Sequence, residues 1–345
     1  MRDRVYLDWN ASAPLRPEAR DAMVAAMGVT GNPSSVHAEG RAAKAIVERA
    51  RRQVAEALGG ASADVVFVSG ATEAAALAMA GRGLRSAAVE HEAVAAWGDG
   101  SLPVAADGAV SVPDPGASSV QHANSETGVI QGLPLGLAVS DWTQAFGKIP
   151  VAFDWSGVAM ALVSAHKIGG PKGVGALVLK RGVDVEARIR GGGQEMGRRS
   201  GTENVAAIAG FGAAAEAAAR DVDAGVWHRV AQLRNILETD LEGLEGPTKF
   251  VGNGSTRLPN TTCIVSPGWK GETQVMALDL AGFAVSAGSA CSSGKVRESA
   301  VLRAMGLGPG EADCAIRVSL GPTVTEDDVS RFAEAFRRLR DRRRR

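Results

Sequence analysis

The sequence has little cysteine and no net charge. Its 345 residues include three cysteines, Cys263, Cys291 and Cys314, too few and too widely spaced for a disulfide framework or a cysteine-rich zinc site. Lysine plus arginine and aspartate plus glutamate each total 38, and this balance argues against a nucleic-acid or membrane-surface binder. We therefore expect free thiols in a reducing cytoplasm.

Long apolar runs and familiar ligand motifs are also missing. No segment approaches the ~18 consecutive apolar residues that span a bilayer, and the charged N-terminus shows no signal or transit pattern. The five histidines show no metal-ligand spacing, so we expect no metal site. Residues 288–295 resemble a phosphate loop, but their glycines are one residue too far apart. These absences predict a soluble cytoplasmic protein that contacts no membrane.

Short apolar runs alternate with amphipathic or alanine-rich stretches along the chain. The runs predict strands over 65–68, 158–164, 174–179, 261–265 and 316–319. The stretches predict helices over 38–58, 74–80, 204–219, 226–242 and 325–341. Strands that alternate with helices indicate an α/β fold with a largely parallel sheet. A shift in composition near 221–225 predicts a domain boundary there.

Three local patterns contain candidate functional residues. Residues 69–72 (Ser-Gly-Ala-Thr) lie between a predicted strand and helix, where N–H groups attract an anion, although most such turns bind nothing. Lys167 follows a strand among small residues, which favours a Schiff base with a carbonyl cofactor; a surface lysine is the alternative. Cys291 lies among Gly, Ser and Ala with no bulky neighbour to bury it, so it is the candidate nucleophile. Cys263 and Cys314 fit buried apolar positions.

Eight motifs in one order make the chain resemble a cysteine desulfurase of the NifS/IscS type, a fold-type I enzyme that uses pyridoxal 5′-phosphate. They are residues 6–14, 31–37, 69–74, 90–94, 164–175, 191–195 with 199–204, the Cys291 loop 286–294, and 316–321. The resemblance implies an α/β large domain over 14–222 with a mostly parallel seven-stranded sheet sandwiched by helices. It also implies a smaller α+β domain, built from 1–13 and 223–345, that carries the cysteine loop.

The resemblance assigns cofactor-binding roles. Lys167 would bind the cofactor covalently and move the substrate's Cα proton, and His91 would stack on the ring and assist that transfer. Asp141 would pair with the ring nitrogen and Gln144 with the phenolic oxygen. The residues that would hold the phosphate are Ala71, Thr72, Ser164 and His166. Thr202 would reach the phosphate of a second subunit, which implies a homodimer.

Substrate and sulfur roles follow from the same resemblance. Arg317, with Asn32 nearby, would bind the carboxylate of L-cysteine through its two-pronged guanidinium. Cys291 would take the substrate sulfur as a persulfide while L-alanine leaves. The sulfur would then pass to an acceptor protein such as an iron–sulfur scaffold.

The chain departs from the family pattern at several places. Ser125 stands where the family usually has an asparagine that contacts the cofactor, so we expect an altered proton affinity at the cofactor. Met196 stands where an arginine is common, and the chain is short over 94–120 and 129–141. The arginine-rich end, 337–345, is either a docking tail or a solvated helix terminus.

Two other interpretations stay open. One is a related class V pyridoxal-phosphate enzyme: a selenocysteine lyase, an aminotransferase or a kynureninase-like hydrolase. The other is a catalytically silent assembly partner in sulfur or metal-cofactor delivery.

Overall fold

Helices and short strands alternate along most of the chain. The computed structural model describes residues 4–242, 248–288 and 298–344. The helices in these ranges are α1 (Pro17–Met27), α2 (Ala38–Ala57), α3 (Ala71–Met79), α4 (Glu92–Ala95), α5 (Phe153–Ser156), α6 (Val205–Asp223), α7 (Val226–Glu242), α8 (Gly271–Leu280), α9 (Ala300–Ala304), α10 (Pro309–Ala312) and α11 (Glu326–Arg344). The strands are β1 (Val5–Tyr6), β2 (Asp64–Val68), β3 (Ser140–Asp141), β4 (Met160–Ser164), β5 (Gly175–Leu179), β6 (Lys249–Val251), β7 (Thr261–Val265), β8 (Phe283–Ala284), β9 (Ser286–Ala287) and β10 (Ala315–Ser319).

A central sheet in the order β2-β5-β4-β3 organises the first two thirds of the chain. Every residue of β4 and β5 is buried, as expected of continuous apolar runs in a sheet covered on both faces. Successive residues of β2 face opposite sides: Phe67 joins the core that includes residues of α2 and α6, whereas Val66 joins the core that includes residues of α3. Helices α1, α2 and α6 pack together, and α3 packs on β4 and β5.

A second sheet, β6-β7-β10-β9, is antiparallel throughout. The apolar side chains on one face of this sheet form a separate core with α7, α8 and α11, which contains Trp227, Ile264 and Phe332, whereas Cys263 and Val265 belong to the core that includes Phe67. Strand β1 pairs with β8, so the N-terminal residues join this second half of the molecule. Arg317 lies in β10 opposite Cys263 of β7 and Ser286 of β9.

The α/β fold and the helices and strands predicted from apolar spacing are confirmed, with ends that shift by a few residues. The central sheet differs in detail from a mostly parallel one of seven strands. Among the described residues it has four strands, β5 runs antiparallel to both neighbours, and single parallel bridges at Ser119–Val139 and Arg85–Ser118 extend it. The β4–β5 connection, residues 165–174, is too short for a crossover helix, so these strands must be antiparallel. None of the helices described here is long and apolar enough to cross a membrane.

Candidate active site

A cavity of about 600 Å³ lies at the carboxyl ends of β3 and β4. These two strands are parallel, so their ends meet at one edge of the sheet. Asp141 ends β3, Ser164 ends β4, and Lys167 lies in the 3₁₀ turn Ala165–Lys167 that follows. The cavity is lined by nine of the residues singled out from the sequence: Ala71, Thr72, His91, Ser125, Asp141, Gln144, Ser164, His166 and Lys167.

The amine of Lys167 is held at the wall of this cavity by main-chain oxygens. Its Nζ donates to the carbonyl oxygens of Asn10 at 2.6 Å and Ala11 at 3.0 Å. Burial, together with the positive charges of Lys167 and Lys172, lowers the pKa of the neighbouring His166 to about 4. His166 is therefore a neutral imidazole at pH 7, and the lysine is the cationic or nucleophilic group on this side of the cavity.

Asp141 and Gln144 form the floor of the cavity. Both are nearly buried, with exposures of 8% and 5%. The Asp141 carboxylate accepts the N–H of Thr143 at 2.8 Å, which fixes its orientation. The Gln144 side chain donates from Nε2 to the carbonyl of Asn10 at 3.0 Å, so the same carbonyl receives both Gln144 and Lys167. Thr143 also lines the cavity, and its hydroxyl is buried without a partner among the described residues.

The start of α3 forms an anion-attracting end of the cavity. The N-cap is Gly70, so no side chain caps this helix, which lies wholly within the described chain. Glu73 accepts the N–H of Ser69 at 2.8 Å and the guanidinium of Arg199 at 2.9 Å. Burial opposes ionisation of Glu73, but these hydrogen bonds outweigh it and hold its pKa below the usual value. The carboxylate is thus already paired.

Arg317 approaches the cavity from strand β10 of the second sheet and contacts Ser125, one of the residues that line it. Its side chain is 3% exposed, and its guanidinium donates to the Asp8 carboxylate at 2.8 Å and to the carbonyl of Ser125 at 3.1 Å. Its buried Nε has no partner among the described residues. Asp8 also accepts the hydroxyl of Ser286 at 2.8 Å, so the arginine is held in place from one side. This arrangement leaves a fixed cation beside Ser125, at the wall of the cavity.

Three of the predicted residues, Asn32, Thr202 and Arg317, are not among the residues that line the cavity. Asn32 is exposed, and its side-chain oxygen accepts the N–H of Ser34 at 2.9 Å within its own turn. Thr202 is exposed as well. Cys291 lies outside the described residues. The other two cysteines, Cys263 and Cys314, are buried as predicted, and burial raises the pKa of both thiols.

Sequence reasoning misses three buried ionisable residues around the cavity. Lys148 lies behind Gln144, four residues later in the chain, and is 3% exposed. Glu90 is buried near Asp141, and burial raises its pKa well above the ordinary value. Burial raises the pKa of Glu126 to about 7, although a hydrogen bond from Ser299 opposes this. Charged residues ordinarily lie at the surface, so only the tertiary packing reveals that these three are buried. No set of three or more His, Cys, Asp or Glu side chains in the described ranges is placed to hold a metal ion.

Comparison with known proteins gives one consistent family. The model of the class-V aminotransferases matches residues 5–97 and 99–332. A cysteine desulfurase of Cereibacter sphaeroides is 38% identical over 371 aligned residues, covering 97% of this chain and 95% of that protein. Cysteine desulfurase IscS 1 of Archaeoglobus fulgidus is 36% identical, covering 96% of this chain and 95% of that protein.

Solved structures agree with the sequence relatives. A NifS-like protein from Rickettsia africae ESF-5 superposes with a TM-score of 0.89 at 32% identity, covering 98% of this chain and 99% of that one. SspA in complex with cysteine superposes with a TM-score of 0.75 at 25% identity, covering 93% of this chain and 100% of that one. The similarity therefore extends over nearly the whole chain.

Proposed function

The chain belongs to the class-V aminotransferase family of pyridoxal-phosphate-dependent enzymes, and on that premise we propose that it is a cysteine desulfurase. It would convert L-cysteine to L-alanine and transfer the sulfur to Cys291 as a persulfide, for delivery to an acceptor protein. The observation that carries this proposal is the convergence of Lys167, Asp141, Gln144 and His91 on one cavity, with Arg317 hydrogen-bonded to the carbonyl of Ser125, which lines it.

The donor set of the cavity fits pyridoxal 5′-phosphate. The amine of Lys167 suits an aldehyde carbon, and the carboxylate of Asp141 suits a protonated ring nitrogen. The start of α3 with the Thr72 hydroxyl, and the Ser164 hydroxyl beside it, suit a phosphate. The Thr143 hydroxyl, which has no partner among the described residues, would offer one more polar contact to a bound group. When bound, this cofactor accepts the electron pair released at the substrate's Cα.

The protein's own side chains would bind the substrate and move its protons. Arg317 would bind the carboxylate of L-cysteine, since its guanidinium is fixed beside the cavity by Asp8. Lys167 Nζ would take the Cα proton and return it later. His91 would present its ring face, because its Nδ1 accepts the N–H of Ala93 at 3.1 Å and this contact orients the ring.

The sulfur transfer balances without another reactant. The thiolate of Cys291 attacks the substrate sulfur, so a sulfur–sulfur bond forms while the carbon–sulfur bond of the substrate breaks. The carbon keeps the bonding electron pair and takes a proton, which gives L-alanine. L-cysteine and the Cys291 thiol therefore become L-alanine and a Cys291 persulfide, with no atom left over.

The proposal includes an assembly and a setting. We propose a homodimer, supported by the exposure of Thr202, which would reach a partner's cavity. We propose a small domain formed by 1–13 and 223–345, supported by the β1–β8 pairing and by the separate core of the second sheet, and a large domain over 14–222. The acceptor would be an iron–sulfur scaffold or another thiol-bearing protein, in a compartment reducing enough to keep Cys291 free.

The proposal is tested by measuring the products that Cys291→Ala forms from L-cysteine. The control is Cys314→Ala, because the Cys314 thiol of the parent protein is buried. Both proteins should keep the yellow colour of the bound cofactor. Only Cys314→Ala should form a persulfide and release alanine from L-cysteine at the rate of the parent protein. Alanine and sulfide released at that rate by Cys291→Ala would overturn the assignment. If the parent protein releases selenide from selenocysteine but no sulfur from L-cysteine, it is a selenocysteine lyase. If it forms a keto acid, it is an aminotransferase.

A further inference from the structure

Lys148 is a buried lysine to which the proposed chemistry gives no role. It is 3% exposed and does not line the cavity. Its Nζ donates to Oε1 of Gln144 at 2.5 Å and to Oδ1 of Asn10 at 2.9 Å. Within the part of the chain that the structure describes, it forms no ion pair. A buried lysine without a carboxylate partner is costly to keep charged, so the presence of an amine at this buried position needs an explanation.

The surroundings of Lys148 favour the neutral amine. Burial is the main cause, and the positive charges of Lys167 and Arg317 add to it; together they lower the pKa of Lys148 well below its ordinary value. A neutral amine has two N–H donors, and two acceptors, on Gln144 and Asn10, are in place. An ammonium group would leave a third N–H without an acceptor among these contacts.

Asn10 links this amine to the catalytic lysine. It is completely buried, and its carbonyl oxygen accepts Lys167 Nζ at 2.6 Å and Gln144 Nε2 at 3.0 Å. Its side-chain oxygen accepts Lys148 at 2.9 Å and Asn260 at 3.0 Å. Lys148 therefore contacts both Gln144 and Asn10, and the carbonyl of Asn10 accepts both Gln144 Nε2 and Lys167 Nζ.

We propose that Lys148 is a positioning residue of this enzyme. Its amine holds Oε1 of Gln144, which turns Nε2 toward the carbonyl of Asn10, the same carbonyl that accepts Lys167 Nζ. Without it, the buried Gln144 oxygen loses its donor and the amide loses the contact that orients it. The expected loss of turnover with L-cysteine rests on the proposed function, whereas the expected change in the absorbance of the bound cofactor does not.

A double-mutant cycle with Gln144 tests the proposal in the enzyme loaded with pyridoxal 5′-phosphate. Lys148→Met keeps the length of the side chain and removes the donor. We expect kcat for L-cysteine to fall about 10- to 100-fold, as for a small misplacement of a catalytic group, with little change in KM. If Lys148 acts through Gln144, the double variant with Gln144→Ala is no slower than the slower single variant. Effects that multiply overturn the proposal.

The pH midpoint of the cofactor's visible absorbance gives a second measurement that needs no turnover. We expect Lys148→Met and Gln144→Ala to move this midpoint in the same direction and by similar amounts, and the double variant to move it no further. A folded Lys148→Met variant with the parent midpoint overturns the proposal.

If that variant does not fold, Lys148→Gln replaces it. The shorter amide of glutamine cannot bridge both acceptors, so the absorbance midpoint of this variant must lie between those of the parent protein and Gln144→Ala. An unmoved midpoint is then the contrary result. Failure of alanine formation in the parent protein would reject the proposed function and leave the midpoint comparison intact.

Discussion

Glu126 gives the most quantitative test of the electrostatics around the site. Its Oε2 accepts the hydroxyl of Ser299 at 2.6 Å, and Arg317 lies close enough to favour its ionised form. Burial nevertheless outweighs both and raises the pKa of Glu126 from 4.5 to about 7. The folded protein therefore binds a proton at Glu126 more tightly than the unfolded chain does. Glu126→Gln keeps the shape of the side chain and removes this titration.

The sign and size of the effect follow from that shift. Between pH 4.5 and about 7 the folded state holds more protons at Glu126 than the unfolded state, so this residue makes the free energy of unfolding fall as pH rises. This decrease in the free energy of unfolding is complete above the pKa that Glu126 has in the folded protein. At about 1.4 kcal/mol per pKa unit, the shift corresponds to roughly 3 kcal/mol, of which about 2–3 kcal/mol falls between pH 5 and pH 8. The glutamine variant has no such loss.

Urea unfolding of the parent protein and Glu126→Gln at several pH values between 5 and 8 measures this difference. The stability of the variant relative to the parent should rise by about 2–3 kcal/mol over that range. Ser299→Ala is the matched control, because it removes a hydrogen bond that lowers the pKa of Glu126. In that variant the pH-dependent loss should extend to higher pH than in the parent. A difference between parent and Glu126→Gln that stays flat from pH 5 to 8 would refute the reasoning.

Three further predictions concern a buried ion pair, substrate binding and the cofactor. Glu195→Ala removes the buried partner of Arg51, held at 2.7 Å and 3.0 Å, and should lower the free energy of unfolding by about 3–5 kcal/mol, whereas the exposed Glu186→Ala should cost less than about 1 kcal/mol; equal urea midpoints would contradict this. Arg317→Lys gives up a charge-assisted contact worth about 1.5–3 kcal/mol, so KM for L-cysteine should rise about 10- to 100-fold while the cofactor stays bound; an unchanged KM would remove Arg317 from substrate binding. Ser125→Asn should move the pH midpoint of the cofactor absorbance, and an unmoved midpoint would show that the shorter serine makes no difference.

Much of the fold follows from the sequence because apolar spacing reports burial directly. The runs at β4 and β5 are apolar at every or nearly every position, and both are buried at every position. Lys167 is predicted from its place after a strand, whereas Asp141 is predicted only from the family resemblance; the structure places both at the same sheet edge. The antiparallel course of β5 did not follow from the apolar pattern, because the pattern of a buried strand is the same in either direction.

The rest of the site depends on packing that no local pattern records. Lys148, Glu90 and Glu126 are ionisable residues, which ordinarily lie at the surface, and their burial comes from the way distant segments meet. Asn10 is a similar case: its partners include Lys148, Lys167 and Asn260, which are far apart in sequence.

Mass spectrometry after reaction with isotopically labelled L-cysteine tests the central claim most directly. The protein is loaded with pyridoxal 5′-phosphate, incubated with L-cysteine that carries heavy sulfur, alkylated and digested. The peptide with Cys291 should gain one heavy sulfur atom for each L-alanine released in the first turnover, while the peptides with Cys263 and Cys314 should gain none. Alanine released without a labelled Cys291 peptide, or label on Cys263 or Cys314 instead, would contradict the claim.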